Sequence, residues 1–225
     1  ETQETHNAVD NINDSLTNVS QKLQNNKRYI AWAVAGVVVV VGGILAYLYG
    51  YRQPHIEKGN IALGMVDVKV ATYNPTDTVP LDTTKIIAEY QAVIEDGYDA
   101  ANLATVKAAG LLFQQGKAQE ALDLLGKYSK TGSEVVDPAV FSLQGDCLVD
   151  LGKYDEALVK YGDAEKLSKN NAYYTPYFIM KQARVHEAKK DNKAALEALE
   201  RINNEFPDYA QNYNIEYDIA RLMAD

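Results

Sequence analysis

Apart from its carboxylates, this 225-residue chain has few of the histidines and cysteines that most often shuttle protons or bind metals. His6, His55 and His186 are its three histidines, and they are too scattered in the sequence to suggest ligands gathered around one metal ion. The one cysteine, Cys147, can make neither an intrachain disulfide nor a multi-thiolate site, and a packed core thiol is the expectation. No phosphate-cradling glycine loop, nucleophile elbow, HExxH or CxxC spacing occurs. The carboxylates, including Asp155, Glu156, Glu197 and Glu200, fit solvated helix faces. The chemistry thus argues against an enzyme, with no catalytic residue, metal or cofactor expected. A formal charge of -9, from 31 Asp+Glu against 22 Lys+Arg, also argues against nucleic acid as a partner, because no basic excess exists to displace counterions from phosphates.

What remains is chemistry suited to recognising protein. Phe113, Val149, Tyr177 and Met180 offer apolar anchors near the acids Asp146, Asp150 and Glu187, with Gln114 and Arg184 beside them. Together they would suit an extended or helical peptide carrying apolar and basic groups. The set of Lys, Arg and Asn needed to clamp an acidic C-terminus is not at the equivalent positions, which include Val106, Gly110, Ser142 and Asp146. Separately, Gly42, Ala46 and Gly50 recur every four residues, so a second helix could approach closely along that face.

The first set needs a repeating helical frame. Three segments align, starting at Gly116 (GKAQEALDLLGKY), Gly152 (GKYDEALVKYGDA) and Lys190 (KDNKAALEALERI), with fixed points Ala121-Leu122, Ala157-Leu158 and Ala195-Leu196. An apolar helix precedes each: 103–114, 139–149 and 177–188. Ala109, Gly145 and Ala183 stand twelve residues before the aligned alanines, so small side chains from both helices of a hairpin can meet where they cross. Gly116 and Gly152 supply the turn in two hairpins, and Lys190-Asp191-Asn192 in the third. His186 aligns with Leu112 and Leu148, which marks it as structural. The pattern resembles tetratricopeptide repeats, here near 102–135, 138–171 and 176–209, preceded by a degenerate hairpin at 55–95 and followed by a capping helix at 210–223. On that cap Tyr213 and Tyr217 are expected to cover the last hairpin, and the segment 72–82 is expected as an unusual loop.

The second set needs a membrane. Residues 29–51 contain no charge and lie between Lys27-Arg28 and Arg52. As a helix they reach roughly 34 Å, enough for a hydrocarbon core of about 30 Å. Tyr29 and Trp32 at one end and Tyr47, Tyr49 and Tyr51 at the other match two interfacial belts. The polar tail 1–28 precedes this span, so an uncleaved signal anchor is expected, with the domain at 52–225. Basic residues flank the span almost evenly, and charge alone barely favours the N-terminus inside. Residues 1–52 are neutral overall, which leaves the whole negative charge on the domain.

The order of parts, from Lys27-Arg28 through the span to the GKYDEAL motif at Gly152 and the C-terminal helix, resembles the YfgM-like membrane-anchored tetratricopeptide proteins of bacterial envelopes, particularly those of Bacteroidota. The resemblance implies an all-α protein of the inner membrane, with its N-terminus in the cytoplasm and an α-solenoid in the periplasm. It further implies an ancillary role at the SecYEG translocon, with periplasmic chaperones or client chains as partners. No translocon-contacting residue carries over. Two other readings fit the same residues. One is a structural assembly subunit of an envelope or secretion complex that binds a fixed partner. The other is a homo-oligomer formed through Tyr173, Tyr174, Tyr209, Tyr213 and Tyr217.

Overall fold

In the computed structural model, which describes residues 17, 26–73, 81–97, 99–169 and 171–224, the apolar stretch is helical: α1 spans Lys27–Tyr47 and passes into a π-helical turn, Leu48–Arg52. None of the residues of α1 is buried, and Val37 to Val41 point outward without cover. A helix that is apolar all round suits lipid and is unfavourable in water, and this one is long enough to cross a membrane. Its length and composition are compatible with a single-pass anchor. Tyr47 stacks on Tyr51 at 5.7 Å and Tyr51 meets the His55 ring at 4.4 Å, an aromatic ladder at the polar end of the stretch. Gly50 falls within the π turn.

The chain divides into two units, Glu1–Glu57 and Lys58–Asp225, and α2, Gln53–Ala71, begins in the first and continues into the second. The second unit is a row of helical hairpins: α3 (Thr83–Glu95), α4 (Ala101–Gln114) with α5 (Ala118–Leu125), α6 (Val136–Asp150) with α7 (Tyr154–Leu167), and α8 (Tyr174–Ala188) with α9 (Asn192–Glu205). All regular structure among the described residues is helical. Ala109, Ala121, Ala157, Ala183 and Ala195 are fully buried and Gly145 is buried with them, so backbones close at the expected crossings. Leu112, Leu125, Leu148, Ile179, Leu199 and Ile202 fill the next layer.

The three turns have one geometry. Gly116 and Gly152 take φ of 75° and 73°, and Lys190 takes 60° at the same place. In each, the next amide reaches back five residues, from Lys117 to Leu112, Lys153 to Leu148 and Asp191 to His186, as a Schellman C-cap requires. His186 accordingly occupies the place of the two leucines, half-buried.

Two expectations about the ends are revised. The segment 210–223 is two helices, α10 (Pro207–Asn212) and α11 (Ile215–Ala224), because the chain turns at Asn214 with φ of 52°, a left-handed conformation that Asn tolerates. Tyr213 and Tyr217 are exposed, and Tyr209, Ala210, Ile215 and Leu222 close the last hairpin instead. At the other end α2 and α3 lie where the degenerate hairpin is expected, linked by the Tyr90–Asp67 hydrogen bond and the Lys69–Glu89 pair. Most of the 72–82 loop, the 1–16 and 18–25 parts of the tail, and His6 lie outside the described residues.

Candidate functional site

Gly145 is where the site starts. A Cβ there would lie 2.5 Å from Cε1 of Tyr161, so glycine is what lets that ring from α7 lie against α6. The buried ring aims its hydroxyl at Asp146, to which it donates at 2.5 Å. From α8, Lys181 donates to both oxygens of the same carboxylate, at 2.7 and 2.9 Å. Its Nζ also stands 5.6 Å from the Tyr161 ring centre and 5.1 Å from that of Tyr177, favourable cation–π distances. Burial alone would lower the Lys181 pKa, but the Asp146 hydrogen bond and charge outweigh it and hold the ammonium above its usual range. Burial and then the Asp146 contact push the Tyr161 phenol far up, so it stays protonated.

Beside this node lies a pocket of about 250 Å³, whose lining includes Ala139, Leu143, Asp146, Tyr174, Tyr177 and Phe178. Its walls are apolar and aromatic, and its carboxylate is already neutralised by Lys181. Such a pocket accepts an uncharged or apolar side chain more readily than a strongly charged one. Cys147, next to Asp146, is fully buried, and burial followed by Asp146 and Asp150 raises its thiol to about 11, which leaves it a core group.

The sequence-derived recognition residues distribute around this pocket unevenly. Asp146 and Tyr177 line it. Phe113, Val149 and Met180 are half-buried and pack against three separate core clusters. Gln114 and Asp150 are exposed. Arg184 and Glu187 pair with each other at 2.9 Å and with α11: Arg184 reaches Asp218 at 2.8 Å and Arg221 reaches Glu187 at 2.7 Å. These two hold the end of the solenoid together as well as facing outward.

Lys181 and Phe178 do not stand out in the sequence, Tyr161 reads there as part of the hairpin's apolar layer, and Tyr174 reads as an oligomer contact. A second node of the same composition was also missed: Asp67 on α2 accepts from Tyr90 on α3 at 2.7 Å and faces Lys107 on α4 at 3.0 Å. One signal was available. Lys107 and Lys181 each stand fourteen residues before an aligned alanine, where the middle repeat has Leu143. The surface therefore reads polar, apolar, polar along the row, and its lysines are internally neutralised rather than open to an acidic ligand. Among the described residues no group of three or more His, Cys, Asp or Glu is placed to hold a metal ion. A larger apolar cleft of about 800 Å³ lies away from this node, between α2 and α3.

Residues 80–182 match the family model described as tetratricopeptide repeat-like domain. No curated protein matches the chain. Among solved structures, the crystal structure of MamA protein is similar over 75% of this chain and 87% of its own, with a TM-score of 0.53 and 16% identity. A second MamA crystal structure covers 63% of this chain and 84% of its own at a TM-score of 0.47 and 15% identity. Kinesin-light-chain-type TPR-like repeats from Podosopora anserina cover 75% and 93% at 0.47 and 14%. At these identities the first likeness speaks to the fold: a tetratricopeptide-like solenoid.

Proposed function

We propose that this chain is a membrane-anchored interaction scaffold whose solenoid binds another protein through the α6–α8 surface. The observation that carries the reading is the pocket beside the Asp146–Lys181–Tyr161 node, which pairs an aromatic wall with a charge-neutral floor. Phe113, Gln114, Val149, Asp150 and Met180 extend that surface along the row, and Arg184 and Glu187 bound it. The apolar helix α1 supplies the tether, and tethering raises the local concentration of the domain near a membrane partner. The finer reading is an inner-membrane protein with a periplasmic domain that assists translocation or early chaperoning of secreted chains at the SecYEG translocon, and it draws on the order of parts in the sequence. On this reading Gly42, Ala46 and Gly50 are the contact face of the span.

The test is crosslinking and mild-detergent pull-down of the full chain from its native membrane beside a chain beginning at Gln53, followed by mass spectrometry. Translocon subunits that copurify with the full chain and fall away without the span, or with Ala46→Leu, support the accessory role. A stoichiometric envelope complex retained by the shorter chain, without translocon subunits, replaces it with an assembly scaffold.

A further inference from the structure

Helix α2 is apolar on two sides. Gly59, Leu63 and Val66 are buried against the domain, while Ile61, Met65 and Val68 are 62%, 59% and 59% exposed. Helices apolar all round belong in interiors, so this second stripe requires a cover that one copy does not supply among the described residues. The stripe forms one wall of the 800 Å³ cleft, opposite Ala92 and Val93 of α3. Lys69 closes one end by its 2.7 Å pair with Glu89, and Asp96 stands at the other.

We propose that this cleft is a homodimer interface, filled by α2 of a second copy lying parallel to the first. Three features select that occupant. First, Ile61, Gly64, Met65 and Val68 follow the i, i+3, i+4, i+7 spacing of a helix-pairing seam, and a Cβ on Gly64 would meet nothing within 4 Å, which leaves room for close approach. One stripe thus serves as both ridge and wall, as a two-fold contact demands. Second, the charges complete each other. Lys58 is exposed one turn before Ile61, and Asp96 lies at the Ile61 end of the cleft, so parallel packing brings Lys58 of the second copy toward Asp96. Antiparallel packing would carry it instead to the end where Lys69 already satisfies Glu89. Third, copies anchored by the same N-terminal helix share one membrane and are held at high local concentration, so a modest patch suffices. This third point rests on the anchor reading above.

The experiment uses full-length protein in native membranes and a short bismaleimide. Cys147 is fully buried and out of reach, so Met65→Cys is the reporter, and Val159→Cys, 62% exposed on α7, is the control. The expected result is a covalent dimer at 65 and none at 159. Ile61→Asp in the Met65→Cys background should cut the yield more than about tenfold, as expected for placing a charge in an apolar seam. Asp96→Lys or Lys58→Glu should each cut it a few-fold, and the two together should restore it. A monomer at 65, equal crosslinking at 159, or a dimer indifferent to Ile61→Asp overturns the interface; the last would place the contact in the span. Carbonate extraction of the same membranes separates the two readings: release of the chain refutes the anchor, while the crosslink still decides the interface.

Discussion

Gly145 and Gly110 differ by one place in the repeat register and by the whole of their surroundings. A methyl on Gly145 would collide with the Tyr161 ring at 2.5 Å, and that ring is buried and held through its hydroxyl by Asp146. A methyl on Gly110 would meet nothing within 4 Å. Gly145→Ala should therefore cost about 1–3 kcal/mol through overpacking. Gly110→Ala should gain up to about 1 kcal/mol from helix propensity, and urea unfolding of the two variants checks the pair. Asp137 carries a different kind of residue-scale prediction. It is 2% exposed. Burial would raise its pKa, but bonds from the Thr131 amide, the Tyr128 hydroxyl, the Gly132 amide and the Thr131 hydroxyl outweigh burial and hold the carboxyl below its usual range. A depressed folded pKa stabilises the fold above the unfolded value, near 3.8, and that stability is lost as pH falls through the folded one. Asp137→Ala should destabilise by about 2–4 kcal/mol at pH 7 by leaving these donors without their acceptor, and the gap to the parent should narrow below about pH 4 in thermal melts.

At the scale of elements, the hairpin turns show which parts of the fold sequence reasoning can reach. The alignment of Ala121, Ala157 and Ala195 located the helix pairs because a crossing that needs small side chains leaves a periodic mark. The same alignment put Lys190 where Gly116 and Gly152 stand, and Lys190 adopts their left-handed backbone at φ 60°. Glycine reaches that conformation without the Cβ penalty, so Lys190→Gly should raise stability by about 0.5–1 kcal/mol, measured by denaturant midpoint at unchanged slope. The break at Asn214 carried no such mark, since one asparagine between two amphipathic segments reads equally well as helix interior. The cap was thus legible in place but not in shape. Tyr213 and Tyr217 fell on the wrong face for the same reason: a turn between α10 and α11 changes which side chains meet the last hairpin.

The second unit is a row in which each hairpin touches its neighbours, and its stability is then close to a sum of hairpin and junction terms. Two junctions carry an acid, a tyrosine and a lysine from three successive helices: Asp67, Tyr90 and Lys107, then Asp146, Tyr161 and Lys181. These sets were not legible as contacts, because which lysine faces which carboxylate depends on how adjacent hairpins rotate, and periodicity within a hairpin does not report that. The row predicts a specific pattern of couplings. Within one node Asp146→Asn and Lys181→Met remove the same half-buried contact, so their effects should fall short of additive by about 1 kcal/mol. Across nodes Lys107→Met and Lys181→Met share no partner and should add to within about 0.5 kcal/mol. Urea unfolding of the three single and two paired variants decides it. Full additivity inside the node would mean that Lys181 is held by the Tyr161 and Tyr177 rings rather than by Asp146. Strong coupling across nodes would mean that the hairpins rotate together, and then a ligand in the pocket between α6 and α8 would also be felt at α2.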